Sequence, residues 1–152
     1  MINYIKGDAT NPQGLKPWLI VHICNNKGGW GKGFSGALSK IWPSAESEYR
    51  KWHSGGDNFR LGEVQFVYPK DSIIIANMLA QDGYKSEHNP TPVSYTDLIS
   101  CLMKISKKYK YHNIHMPKIG CGLGGGDWNV IQKAINLILV NKGISVTVYE
   151  YP

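Results

Sequence analysis

Two glycine-dense stretches interrupt this chain at equivalent places. Residues 120–126, GCGLGGG, hold five glycines and follow the extended-looking run His115 to Ile119. Residues 25–38, NNKGGWGKGFSGAL, follow the apolar run Trp18 to Cys24. Each is succeeded by a helix-like segment, so each reads as a strand-to-helix turn with almost bare backbone. Such a turn can wrap anionic oxygens with N–H groups, and the dipole of the helix behind it adds positive potential. Two of them on neighbouring strands would grip a diphosphate from both sides. That demands a fold in which separate parallel strands end side by side.

The remaining pattern supplies such strands. Apolar runs at Ile2 to Lys6, Trp18 to Cys24, Glu63 to Tyr68, Ser72 to Met78, Asn113 to Pro117 and Ile144 to Tyr149 read as strands. Helical periodicity predicts helices over Gly33 to Trp52, interrupted by Pro43, over Ser94 to Tyr109, and over Trp128 to Asn141, closed by Lys142-Gly143. Alternation of the two predicts an α/β sandwich around a mixed, largely parallel sheet, with a ligand at the carboxyl ends of the strands. A length of 152 residues with 42% hydrophobic content fits one domain spanning 1–152. Residues 55–58 and 82–92 read as loops, the second long enough to border a site.

Composition narrows the function classes. A net charge of +6 favours an anionic partner, although the densest lysine cluster, Lys104, Lys107, Lys108 and Lys110, reads as the solvated face of a helix. The three cysteines, Cys24, Cys101 and Cys121, form no CxxC pair. Neither a disulfide framework nor a cysteine zinc site is expected, and a reducing, cytoplasmic compartment fits. No run reaches the roughly 18 apolar residues of a membrane helix, so no membrane partner is expected. Gly31-x-Gly33-x-x-Gly36 matches a dinucleotide fingerprint but lies well past the strand end. A P-loop fails because Phe34 and Ser35 follow Gly33. No arginine occurs between Gly120 and Leu139 to serve a cysteine phosphatase built on Cys121, which reads better as a small packed residue.

Taken in order, Gly7-Asp8-Ala9-Thr10 after the first strand, IVHICNN at 20–26 and MPKIGCGLGGGDW at 116–128 resemble the macro domain family across nearly the whole chain. The match is nearest to the compact branch typified by yeast-type ADP-ribose 1″-phosphate phosphatases and their phage and bacterial relatives. The resemblance implies a three-layer macro domain sandwich with a cleft for ADP-ribose. It implies that Asp8 accepts a hydrogen bond from the adenine amino group, that the Ala9 N–H reads a ring nitrogen, and that Asn25 holds the distal ribose. Gly29, Gly31 and Gly33 match the first phosphate loop; Gly120, Cys121, Gly122, Leu123, Gly124, Gly125 and Gly126 match the second. The competing readings make Asp8 a turn residue or helix cap and Asn25 an Asx-turn at the strand end. Trp30, set in the first loop, reads as a lid or as packing, and Tyr149 or Tyr151 as a neighbour of the adenine.

The same branch implies a catalytic pair, His22 and Asp127, acting without metal or cofactor. Phosphate monoester hydrolysis needs an aimed water, stabilised equatorial oxygens and a proton for the leaving group. The competing readings are a buried core histidine and a helix cap. Glutamate-directed glycohydrolases of the family use a strand lysine and an aspartate after Gly-Cys-Gly-Leu. This chain has Gly124 there and no lysine in Ser72 to Gln81. Lys85 could reach back only if its loop folds over the cleft. The expectation is therefore a monomeric ADP-ribose 1″-phosphate phosphatase. The rivals are a hydrolase of another conjugate, protein-linked or O-acetylated, and a silent reader of ADP-ribosylated protein or nucleic acid.

Overall fold

A computed structural model describes residues 1–151. Strands β1 (Asn3–Lys6), β2 (Trp18–Asn25), β3 (Val64–Lys70), β4 (Ile73–Gln81), β5 (Asn113–Pro117) and β6 (Val146–Glu150) form one sheet in the order β1-β6-β5-β2-β4-β3. Every pairing is parallel except β3 against β4, at the edge. Helices α1 (Phe34–Ile41) and α2 (Pro43–Gly55) cover one face, and α3 (Tyr95–Lys108) and α4 (Trp128–Ile138) the other. This is the mixed, largely parallel α/β sandwich that the alternation of elements predicts.

The alternation of side chains along the central strands sorts the core into two layers. Leu19 and Val21 of β2, with Ile74, Ala76, Met78 and Ala80 of β4, pack against Leu98, Leu102 and Ile105 of α3 and Ile131 and Ile135 of α4. Ile20, Ile73 and Ile75 face the opposite way, onto Leu38 of α1 and Ala45 of α2. Strand β4 is buried from Ile73 to Ala80, which is why it reads as a continuous apolar run.

Several boundaries shift for local reasons. Pro43 starts α2 because the first helical position needs no N–H, so the expected Gly33 to Trp52 span becomes two helices around Trp42. Strand β3 continues through Pro69, tolerated on an edge, to Lys70. The last helix ends at Ile138, and a single 3₁₀ turn, Val140–Lys142, carries the chain to Gly143 at φ 84°. Ser94 caps α3, its Oγ accepting from the Asp97 N–H at 3.3 Å. The exposed lysines of α3 face solvent except that Lys104 binds Glu63 and the Gly62 carbonyl, and Lys108 lies 4.8 Å from the Phe66 ring centre. No helix among the described residues is long and apolar enough to cross a membrane.

Two histidines are buried in these layers, His22 at 2% exposure and His115 at 3%. Burial penalises the imidazolium and pulls both pKa values from 6.5 down to about 4, the Asn77 hydrogen bond partly opposing it at His22. Between those limits the unfolded chain binds protons that the folded chain refuses, so falling pH favours unfolding. Urea titrations should show stability highest at and above pH 7 and declining as pH falls from about 6.5 to about 4. His22→Gln should flatten part of that slope.

Candidate functional site

Strands β5, β2 and β4 are parallel, so their carboxyl ends open on one side, and the segments leaving them wall a cleft of about 740 Å³. Small-molecule sites typically occupy roughly 300–1,000 Å³.

The first wall is the glycine loop between β2 and α1, and Asn25 organises it. Its Oδ1 accepts from the N–H groups of Lys27 at 2.8 Å and Gly29 at 3.2 Å, while its Nδ2 donates to the Gly29 carbonyl at 2.9 Å. Tyr49 of α2 donates to the Asn25 carbonyl at 2.5 Å. The loop ends on α1, whose first turn has neither a side-chain cap nor an acidic residue. Gly33, Phe34 and Ser35 line the cleft there, so the positive end of the helix dipole is uncompensated at the site.

The second wall is the loop between β5 and α4. It folds back on itself, the Gly126 N–H donating to the Gly120 carbonyl at 2.7 Å and the Gly125 N–H to the Gly122 carbonyl at 3.1 Å. Most of its glycines answer to that fold. A Cβ at Gly124 or Gly126 would meet the Gly120 carbonyl oxygen, and Gly125, at φ +67°, would place one 2.4 Å from the Pro90 carbonyl oxygen. Gly122 differs: a Cβ there meets nothing within 4 Å, and the residue lines the cleft.

The third wall is the loop after β4. Asn26 ties it down, donating to Asp82 Oδ1 at 3.0 Å and accepting from the Gly83 N–H at 2.9 Å. Asn89 pins its return through the Asp82 and Tyr84 carbonyls. The Tyr84 hydroxyl consequently lies against Gly29, where a Cβ would come within 2.1 Å of it. The loop borders the cleft: Tyr84 and Lys85 both line it. Lys32 and Lys85 bring positive charge to the rim and form no ion pair among the described residues.

His22 lies in the floor. Its Nε2 is 2.5 Å from Asn77 Oδ1, with Cys24 Sγ farther off at 3.7 Å. The rings of Trp30, at 5.3 Å, and Phe34, at 5.7 Å, enclose it. Trp30 is a wall packed between His22 and Tyr49, not a free lid, and its Nε1 is buried without a partner among the described residues.

The sequence-derived residues therefore divide. His22, Asn25, Gly29, Trp30, Gly33, Gly120, Gly122, Leu123 and Gly124 line the cleft; Gly31, Cys121, Gly125 and Gly126 do not. Burial raises the Cys121 thiol pKa, and its Sγ contacts the Ile119 carbonyl. Asp127 is not brought to His22: it is exposed, outside the cleft lining, and its Oδ1 accepts from the Asn129 N–H at 2.9 Å as the cap of α4. Asp8 and Ala9 follow β1 on the same edge of the sheet but outside this lining, with Asp8 Oδ1 held by the Thr10 N–H and hydroxyl. Tyr149 is buried, accepting from the Gln13 N–H and bonded to His115. Sequence reading missed Lys32, Tyr84 and Asn77; for the last, a signal existed, an amide inside the otherwise apolar run IIIANMLA. Among the described residues, no group of three or more His, Cys, Asp or Glu side chains is arranged to hold a metal.

No family model matches the chain. An ADP-ribose 1″-phosphate phosphatase of Candida albicans is 31% identical over 149 residues, covering 89% of this chain and 92% of that protein. The solved structure of a macrodomain protein from Streptomyces coelicolor aligns with a TM-score of 0.87 at 38% identity over 100% of both chains. A solved protein of unknown function from Bacteroides thetaiotaomicron gives a TM-score of 0.93 at 45% identity, covering 98% of this chain and 97% of that one. Other relatives are longer. The chain matches the chromodomain-helicase-DNA-binding protein 1-like of Danio rerio at 28% identity but spans only 16% of its length.

The glycine geometry separates cleft-facing from fold-facing positions. Gly122→Val should melt like the parent. Gly125→Val should lose at least about 1–3 kcal/mol through its positive φ and the Pro90 contact. Thermal and chemical denaturation of the two variants reads the difference directly.

Proposed function

This chain belongs to the macro domain family, sharing 38% identity over the full length of a Streptomyces coelicolor macrodomain protein, and on that premise we propose that it binds ADP-ribose and hydrolyses ADP-ribose 1″-phosphate to ADP-ribose and inorganic phosphate. The observation that carries the reading is convergence. Two glycine loops, the uncompensated amino end of α1 and the free ammonium groups of Lys32 and Lys85 meet in one cleft at the ends of three parallel strands. That is a site for an extended polyanion. The name of the Candida albicans relative supports the phosphomonoester as the bond cleaved.

In this reading the diphosphate lies between the two loops and the distal ribose sits above His22 and Asn25. The adenine reaches across the strand ends toward Asp8, whose second carboxylate oxygen has no partner among the described residues. In the reaction a water oxygen attacks phosphorus and releases one proton to solvent, the bond from phosphorus to the anomeric oxygen breaks, and that oxygen leaves with the electron pair and takes up a proton from solvent. Loop N–H groups and the rim lysines stabilise the equatorial oxygens as negative charge builds on them. His22 is the cleft group placed to orient the water. Asp127, held as a helix cap, supports α4 and takes no chemical step.

The purified protein should release phosphate and ADP-ribose from ADP-ribose 1″-phosphate. In the same assay O-acetyl-ADP-ribose and glutamate-linked ADP-ribose should turn over far more slowly. Turnover confined to another conjugate, or none with any, would replace this reading by the corresponding rival. His22→Gln should lower kcat by about a hundredfold to ten-thousandfold, whereas Asp127→Ala should leave it within a few-fold. Calorimetry with ADP-ribose checks the binding half. Asp8→Asn keeps an acceptor for Thr10 but removes the charge-assisted bond to adenine, and should cost roughly tenfold to a hundredfold in affinity. Gly122→Val should abolish binding in a folded protein.

A further inference from the structure

Behind His22 lies a row of polar side chains that crosses three strands, buried at His22 and Asn77 and half-buried at Gln65. Residue pairing sets His22 of β2 beside Asn77 of β4, and Asn77 beside Gln65 of β3, all on the face covered by α2. Asn77 is fully buried, and its Nδ2 donates to the Ala45 carbonyl at 3.1 Å and to Gln65 Oε1 at 3.0 Å. Gln65 Nε2 donates in turn to the Glu48 carbonyl at 2.8 Å.

The two backbone carbonyls give this row a direction. A carbonyl oxygen only accepts, so the Asn77 atom beside Ala45 must be the amide nitrogen, and the Gln65 atom beside Glu48 likewise. The Asn77 atom facing His22 is then its oxygen, which only accepts, so the imidazole nitrogen against it must carry hydrogen. His22 Nδ1 has no partner among the described residues and is not among the side-chain nitrogens sealed from solvent, which leaves it as the ring nitrogen able to meet the cleft that His22 lines.

We infer that Asn77 is a positioning residue that holds His22 in the Nε2–H tautomer, so that His22 enters the reaction only as a hydrogen-bond acceptor at Nδ1. The inference rests on the hydrolytic reading above. Its consequence is a division of labour: His22 accepts from and aims the attacking water, and the proton of the leaving anomeric oxygen comes from another source. Burial keeps the ring neutral through the physiological range, so no second proton competes for Nδ1. Cys24 does not disturb the assignment, because burial raises its pKa and holds it as a thiol, and its contact at 3.7 Å is much the longer.

The tautomer is measurable without substrate, by two-bond proton–nitrogen correlation on ¹⁵N-histidine-labelled protein at pH 7, with the His22 signals assigned by their loss in His22→Gln. Nε2 should be pyrrole-like and Nδ1 pyridine-like. An Nδ1–H pattern, or an averaged one, overturns the proposal. Asn77→Leu should shift the pattern toward Nδ1–H or an average, and lower kcat on ADP-ribose 1″-phosphate about tenfold to a hundredfold with KM within twofold. Gln65→Leu, which leaves Asn77 anchored by Ala45, should keep the tautomer and most of kcat. An Asn77→Leu protein with unchanged tautomer and kcat overturns the positioning role. The parent spectrum decides the tautomer even if that variant does not fold. Loss of the hydrolytic reading, with no conjugate turned over by the parent, would be visible separately from the tautomer result.

Discussion

Strand β2 is hydrogen-bonded in parallel on both sides, to β4 and to β5, and the site depends on that pairing. Parallel neighbours must all end at the same edge of the sheet, and the connection that follows each begins there. The three segments leaving β2, β4 and β5 are therefore delivered side by side, although they lie far apart along the chain. The apolar layers of Leu19, Val21, Ile74, Ala76 and Met78 on one face and Ile20, Ile73 and Ile75 on the other hold the strands in this register. A slip of one residue would turn His22 and Asn77 away from α2 and expose core side chains in their place.

That register also sets the cost of the site. An imidazole and an amide lie in an otherwise apolar layer, where an unpaired polar group costs about 1–3 kcal/mol. The row from His22 through Asn77 and Gln65 to the carbonyls of α2 satisfies each group in turn. A satisfied network of this kind is rigid, and it ties the cleft floor to α2, none of whose residues lines the cleft. A second contact ties α2 to the rim, because Tyr49 holds the Asn25 carbonyl and so the start of the first glycine loop.

Bare backbone in the second loop proves to have two causes. Gly124, Gly125 and Gly126 are bare because the loop doubles back onto the Gly120 carbonyl and abuts Pro90, whereas Gly122 opens onto the cleft. The rim follows the same division between support and contact. Asn25 lines the cleft while most of its hydrogen-bonding capacity goes to shaping its own loop, and Asp127 is committed to α4.

The sandwich, its six strands, the placing of glycine loops between strand and helix, and the family were legible in the chain itself, because periodicity, turn residues and ordered motifs are local properties. Pro43 marked the break between α1 and α2 for the same reason. Which glycines open onto the cleft was not legible, since nothing local distinguishes Gly122 from Gly125; the approach of Pro90 and Gly120 does. Nor was the place of Asp127, whose sequence position suits a helix cap and a catalytic carboxylate equally; packing sets it as the cap of α4, outside the cleft lining. The protonated nitrogen of His22 was farther from view than any of these. It follows from a lateral register that sets residues 22, 77 and 65 in one row, and from two carbonyls of α2 behind them. Local sequence determines which elements form, but the donors and acceptors that orient a buried side chain come from strands and helices distant in the chain, and only their packing decides them.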